Sequence, residues 1–217
     1  MPYDLPLVTR TLLIANGLVF LLQQWLGDIL IVQFALWPLG PHQLVGSDHG
    51  VPLMAGFEVW QVVSYAFLHG SFTHILFNMI GLWMFGGQIE RLFGARPFAI
   101  YYFVCVIGAA IAQLLVVHYF TGGFYPTLGA SGGVMGVLLA FGMMYPQARI
   151  ALIFFPAPMP AWLFVIGYAV IELFLGVTGT QAGVAHFAHL GGMAIGFVLI
   201  QYWRGKLPIK PRRTLMR

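Results

Sequence analysis

A glycine-rich stretch near the middle of the chain contains a serine in a setting that suits two different uses. Residues 129–133 read G-x-S-x-G with Ser131 at the centre, a pattern typical of hydrolases whose serine is a nucleophile. Residues 129–136 also hold two overlapping G-x-x-x-G pairs, which are typical of helices that pack closely in lipid. The stretch therefore predicts either a nucleophile or a packing residue at Ser131.

A nucleophilic serine needs a neighbouring base and donors for the oxyanion that forms. His186 and His189 could each take the Ser131 proton, because the pKa of imidazole lies near neutrality. His74 and Asn78 are four residues apart, so they share one helix face and could both donate to an oxyanion. The residues alone leave the choice between the two bases open.

The elements that must position these side chains are apolar and long. Only 7% of the 217 residues are charged and 60% are hydrophobic, whereas a soluble domain averages about 25% charged residues. The composition predicts an integral membrane protein with one helical domain over residues 1–217. Its apolar runs predict six transmembrane helices, each near the length needed to cross a bilayer, at residues 8–27, 70–90, 97–117, 128–145, 160–178 and 185–203.

The basic residues indicate how these helices are oriented. They lie at the start of the first helix, between the second and third, between the fourth and fifth, and after the sixth: Arg10, Arg91, Arg96, Arg149, Arg204, Lys206, Lys210, Arg212, Arg213 and Arg217. The three opposite loops hold none, so the positive-inside rule places both termini in the cytoplasm. This distribution predicts no nucleic-acid partner. It makes the basic tail, residues 204–217, a cytoplasmic topology anchor beside anionic lipid.

This topology brings the polar residues to one depth. The second, fourth and sixth helices all run inward, and each carries its polar residues near its outer end: His74, Asn78, Ser131 and His189. The sequence therefore predicts that they share a layer near the outer surface. Glu172 in the fifth helix is predicted to make an inter-helix contact or a cap. The outer loop over residues 28–69 is predicted to hold short interfacial helices, with Trp37, Trp60 and Tyr65 near the lipid headgroups.

Two other hydrolase classes are excluded by pattern. A soluble G-x-S-x-G elbow joins a strand to a helix, and the predicted elements offer no such strand. A zinc protease of the H-E-x-x-H type needs a glutamate in register with its histidines, and none stands in register with the set His69, His74, His186 and His189. A small transporter is disfavoured because paired charges are missing from the predicted helices.

The motifs resemble those of a bacterial member of the rhomboid family of intramembrane serine proteases. The family's G-x-S-G lies at residues 129–132, its H-x-x-x-N at residues 74–78, and its A-H-x-x-G-x-x-x-G at residues 188–196. A further motif, G-G-x-x-E-x-x-x-G, lies at residues 86–94 and places Glu90 at a structural position. Only His189 has glycines at both +3 and +7, so the resemblance selects it over His186.

The resemblance implies a six-helix rhomboid-like bundle with a membrane-associated first outer loop. Ser131 would be the nucleophile and His189 the base of a dyad without an orienting carboxylate, and His74, Asn78 and the Ser131 N–H would bind the oxyanion. Five glycines would pack the helices around the site: Gly129, Gly132, Gly136, Gly192 and Gly196. Residues 176–184 would form a mobile cap over the site, and the fifth helix would face the entering substrate.

The implied activity is an endopeptidase that cuts transmembrane-anchored proteins near the outer face of a bacterial inner membrane, without metal or cofactor. The alternative is a catalytically silent relative that binds membrane clients, which the intact Ser131 and His189 disfavour. Two positions depart from the family pattern. Gln61 replaces an arginine often found after the first-loop tryptophan, and Met135 replaces an aromatic residue found under the histidine in some relatives.

Overall fold

Helices dominate the computed structural model, which describes residues 4–48, 50–152, 155–179 and 185–211. Each of the six apolar ranges contains helix, with ends shifted by a few residues. The helices are α1 (Leu7–Leu26), α2 (Asp28–Phe34), α3 (Gln61–Ser64), α4 (Phe72–Gly81), α5 (Gly87–Phe93), α6 (Ala95–Val116), α7 (Ser131–Met144), α8 (Ala161–Thr178) and α9 (His186–Trp203). A π-helical turn, Leu82–Gly86, joins α4 to α5, another, Val117–Thr121, extends α6, and a 3-10 turn, Tyr65–Phe67, follows α3.

Three of the described helical segments are long and apolar enough to cross a membrane by length and composition: Leu7–Leu26, Ala95–Thr121 and Ala161–Thr178. Together with the apolar composition, they show an integral membrane protein. The short helix α7 is apolar on all its faces, and a helix of that kind is buried by its neighbours. It packs against α6, α8 and α9, so the core of the molecule surrounds the helix that begins at Ser131.

Two β-hairpins depart from the all-helical prediction. In the first outer loop, β1 (Gln43–Asp48) pairs antiparallel with β2 (Val51–Ala55), and before α8, β3 (Arg149–Leu152) pairs with β4 (Phe155–Pro160). Prolines alternate with other residues in β4, and a proline is tolerated in an edge strand because its missing N–H can face away from the partner. The fold is therefore mostly helical with two small hairpins, and the first outer loop is only partly helical.

One buried amide links separate parts of the loop over residues 28–69. The Gln61 side chain accepts hydrogen bonds from the backbone N–H groups of Trp37 and Glu58, each at 3.2 Å, and donates to the Gly56 carbonyl at 3.1 Å. A neutral amide suits this buried position because it supplies both acceptor and donor without a charge. Trp37 and Tyr65, both predicted to lie near the lipid headgroups, are buried within the protein.

The carboxylate of Glu90 caps the start of α1. Its two oxygens accept hydrogen bonds from the Val8 N–H at 2.9 Å, the Thr9 N–H at 2.7 Å and the Thr9 hydroxyl at 2.8 Å. The first N–H groups of a helix have no partner within the helix, and the dipole there favours a negative charge. Glu90 is only 3% exposed, so it ties α1 to α5 in the interior.

Replacing Glu90 with alanine is expected to lower the free energy of unfolding by about 3 kcal/mol, because three buried donors lose a charged acceptor. The thermal unfolding midpoint in detergent measures the loss. Glu58→Ala is the matched control, since the Glu58 carboxylate makes a surface ion pair with His42 and surface pairs contribute little. Equal midpoints for the two variants would contradict the capping role.

Candidate active site

Ser131 is the first residue of α7 and follows a glycine turn. Gly129 has φ of +126°, a conformation that L side chains rarely adopt. A Cβ built on Gly129 would lie 2.6 Å from Nε2 of His74. The glycine therefore lets the imidazole of His74 lie directly against the turn that presents the Ser131 hydroxyl.

His189 lies in the first turn of α9, and its ring faces Ser131. The distance from Nε2 to the serine Oγ is 2.8 Å, within hydrogen-bonding range. The His189 side chain is 11% exposed, so the imidazole is largely shielded from water. A serine hydroxyl bonded to the nitrogen of a histidine is the arrangement by which a base activates a nucleophile.

Glycines allow α7 and α9 to cross closely enough for this bond. A Cβ on Gly192 would collide with the carbonyl oxygen of Gly132 and would lie 2.8 Å from its carbonyl carbon. The other predicted packing glycines of α7 and α9 are crowded by side chains of α6, namely Ala109, Cys105 and Tyr101: Gly132, Gly136 and Gly196. This small-residue crossing brings the backbones into contact, as in tightly packed membrane helices.

His74 and Asn78 face the same site from α4. The Ser71 hydroxyl caps α4 by accepting a hydrogen bond from the His74 N–H at 3.1 Å, and the Gly70 N–H points at Nδ1 of His74 from 3.5 Å. An acceptor Nδ1 leaves the proton of a neutral imidazole on Nε2. Nδ2 of Asn78 is buried without a hydrogen-bond partner in the described part of the chain. Both side chains line a cleft that also contains Ser131 and His189.

His69 supports His74 from the end of the first outer loop. The two rings meet edge to face with centroids 5.0 Å apart. Burial, with His74 close by, lowers the pKa of His69 to about 4, so the ring is neutral at physiological pH. Its backbone is fixed by the Gln23 amide, which donates to the His69 carbonyl at 2.8 Å and accepts from the His69 N–H at 3.1 Å.

The cleft beside Ser131 is open and measures about 1910 Å³. Side chains of α4 and of the π-helical turn line one wall, and side chains of α8 line the other, among them Phe77, Met84, Leu163 and Ile171. Met135 also lines it, one helical turn after Ser131. The cleft is thus an apolar groove between two helices that ends at a polar site. Of the predicted cap, residues 180–184 lie outside the described part of the chain.

Glu172 is the residue whose contacts the sequence did not reveal. Its Oε2 lies 2.7 Å from Nδ1 of His186 and 3.0 Å from Nδ1 of His189. The predicted inter-helix contact is present, but it joins the carboxylate to the histidine that also contacts Ser131. With the predicted helix directions, counting turns back from the end of α8 would have placed Glu172 near the depth of the site, because it lies about two turns before that end.

The described residues contain one cluster that could hold a metal ion. Glu172, His186 and His189 each offer a ligand atom, and these atoms lie within 4.8 Å of one another. A carboxylate oxygen and imidazole nitrogens are ligands that zinc accepts. His69 and His74, which the sequence grouped with these histidines, are not part of the cluster.

Comparisons with known proteins identify the family. The model of the Rhomboid domain matches residues 56–205. The chain is 32% identical over 167 residues, 70% of its length, to the mitochondrial Rhomboid protein 1 of Saccharomyces cerevisiae. It is 30% identical over 191 residues, 83% of its length, to the Rhomboid protease GlpG of Klebsiella pneumoniae. It spans 44% and 57% of these two relatives, about half the length of each. The chain belongs to the rhomboid family.

Proposed function

We propose that the protein is an intramembrane serine endopeptidase that cleaves transmembrane-anchored proteins near the outer membrane face. The observation that carries the proposal is the 2.8 Å contact between the Ser131 hydroxyl and Nε2 of His189, at the polar end of an apolar cleft. Rhomboid proteases among the relatives support the same class of activity.

The reaction follows from this contact. Ser131 Oγ attacks the carbonyl carbon of the scissile peptide bond, and its proton passes to Nε2 of His189. The C–N bond then breaks, the amine leaves with that proton, and an ester on Ser131 remains. A water molecule attacks the ester while His189 takes its proton. The ester bond breaks, the proton returns to Ser131, and the new carboxyl end departs.

The oxyanion is stabilised by donors that already face the cleft. Nε2 of His74 carries a proton in the tautomer that its Gly70 contact favours, and Nδ2 of Asn78 is a buried donor in need of an acceptor. The Ser131 N–H lies at the start of α7, where backbone N–H groups have no helical partner. Donors fixed before the reaction stabilise developing charge effectively.

Substrate enters the cleft between α4 and α8 from the lipid. A helix in the bilayer keeps its carbonyls in internal hydrogen bonds, so the segment must unwind before Ser131 can reach a carbonyl. Substrates with helix-weakening glycine or proline near the cut are therefore favoured, and small residues beside the scissile bond are what the family resemblance implies. Six segments cross the membrane; one of them comprises residues 72–93 and another is the short α7. Both termini lie in the cytoplasm, and Ser131 lies toward the outer side.

A cleavage assay with a model transmembrane substrate in detergent tests the proposal. Wild-type protein is expected to release two fragments and to react with a fluorophosphonate at Ser131, whereas Ser131→Ala does neither. Fragment release by Ser131→Ala would contradict the mechanism. A wild-type protein that retains the substrate uncut and resists the fluorophosphonate would instead be the client-binding relative.

A further inference from the structure

We propose that Glu172 is a positioning residue for His189, so that the site works as a Ser131–His189–Glu172 triad. The inference rests on the proposed protease function and deepens it. It adds a carboxylate to the Ser131–His189 dyad that the family resemblance implies. The observation behind it is the contact of Oε2 of Glu172 with Nδ1 of His189 at 3.0 Å. Nδ1 is the ring nitrogen opposite the one that meets Ser131.

The contacts form a continuous line through the site. Ser131 Oγ lies 2.8 Å from Nε2 of His189, whose Nδ1 lies 3.0 Å from Oε2 of Glu172, which lies 2.7 Å from Nδ1 of His186. The carboxylate oxygen lies off the axis of the His189 N–H, since Nδ1 makes no aligned hydrogen bond within the described residues. Catalytic hydrogen bonds are often poorly aligned in the free enzyme and become aligned only when substrate binds.

The protonation of the two ring nitrogens of His189 defines the role of Glu172. For Nε2 of His189 to accept a proton, a neutral ring must carry its own proton on Nδ1. A buried N–H without an acceptor is costly. Among the described residues, Oε2 of Glu172 lies close enough to Nδ1 of His189 to accept its proton in a hydrogen bond. When Nε2 takes the Ser131 proton, the ring becomes positive, and an adjacent carboxylate stabilises it. The interaction is strong because both side chains are shielded from water.

The competing explanation is that Glu172 only braces α8 against α9 through His186. That contact is the shorter one, at 2.7 Å, and a carboxylate inside a membrane protein needs some partner. Both roles use the same oxygen. They differ in consequence: bracing acts through His186 and affects folding, whereas positioning acts through His189 and affects the chemical step.

The test compares Glu172→Gln with His186→Ala, using purified full-length protein and a model transmembrane substrate in EDTA, so that no metal on the histidine cluster contributes. Glutamine keeps the shape of the side chain but removes the charge that stabilises a protonated ring. Glu172→Gln is expected to lower kcat by at least about 10²-fold, with KM within about two-fold of wild type. His186→Ala is expected to keep kcat within about five-fold of wild type.

The thermal unfolding midpoint of each variant separates chemistry from folding. Glu172→Gln with a wild-type midpoint and a low kcat supports positioning. Wild-type kcat in Glu172→Gln overturns the inference, as does a kcat loss in His186→Ala as large as that in Glu172→Gln. These failures differ from failure of the proposed function, in which the wild type does not cut or Ser131→Ala still does.

Discussion

Alanine in place of His189 is expected to lower kcat for a transmembrane substrate by about 10⁶-fold, as loss of the histidine base does in another serine protease. The reason is the 2.8 Å contact of Nε2 with Ser131. Among the described residues, no other base lies within hydrogen-bonding distance of this hydroxyl. Adding Ser131→Ala to His189→Ala is expected to cause little further loss, because residues that act as a unit are not additive. Initial rates of fragment release for both single variants and the double variant measure this.

His118→Ala is the matched control for the loss of a histidine. His118 lies in the π-helical end of the α6 segment, is exposed, and contacts Tyr119, so cleavage by this variant should equal that of the wild type. If His189→Ala cut within about ten-fold of the wild-type rate, another group would have to be the base, since loss of a true base costs far more. His186 would then be the next residue to replace.

The depth of each polar residue in its helix, together with the sequence motifs, predicts which residues lie at the site. Charge placement set the direction of each helix, and direction put Ser131 and His189 in one layer. The structure brings their side chains into hydrogen-bonding distance. The predicted family is confirmed by the match over residues 56–205. The roles of Ser131, His189, His74 and Asn78 in catalysis stay predictions that the cleavage assays test.

One contact that the sequence did not reveal forms between side chains of two neighbouring helices that run in opposite directions. The sequence predicts an inter-helix contact or a cap for Glu172 but names no partner, because no arginine or lysine lies nearby; in the structure two histidines of α9 approach it across the helix interface. The hairpins were missed for another reason. Their strands are only four to six residues long, and β4 carries three prolines, so they lack the alternation that marks a strand. Only pairing with each other defines them.

Gln61 shows how a departure from a family pattern can be compensated locally. The sequence left the first outer loop without the arginine often found there, which put its polar contacts in question. In the structure the Gln61 amide bonds the backbone of Trp37, Glu58 and Gly56. The compensation could not be read from the sequence, because these partners are brought together by the loop conformation and not by spacing.

Alanine at Gly192 is expected to have the largest effect on stability, lowering the free energy of unfolding by about 3 kcal/mol or more. The added methyl would meet the carbonyl of Gly132, which is helix backbone and cannot turn aside as a side chain could. The helices must therefore separate, which moves His189 away from Ser131. A misplacement of about 1 Å can cost about 10²-fold in rate. Cleavage is thus expected to fall even in protein that remains folded.

Gly17→Ala is the matched control, because Gly17 lies inside α1 with nothing within 4 Å of an added Cβ. There alanine should raise stability by up to about 1 kcal/mol, since glycine is the poorer helix former. The thermal unfolding midpoint in detergent and the rate of fragment release are measured for both variants. The expected signs are opposite for stability, and only Gly192→Ala should lose activity. A Gly192→Ala protein with the midpoint and rate of the wild type would mean that α7 and α9 do not need this close crossing to join Ser131 to His189.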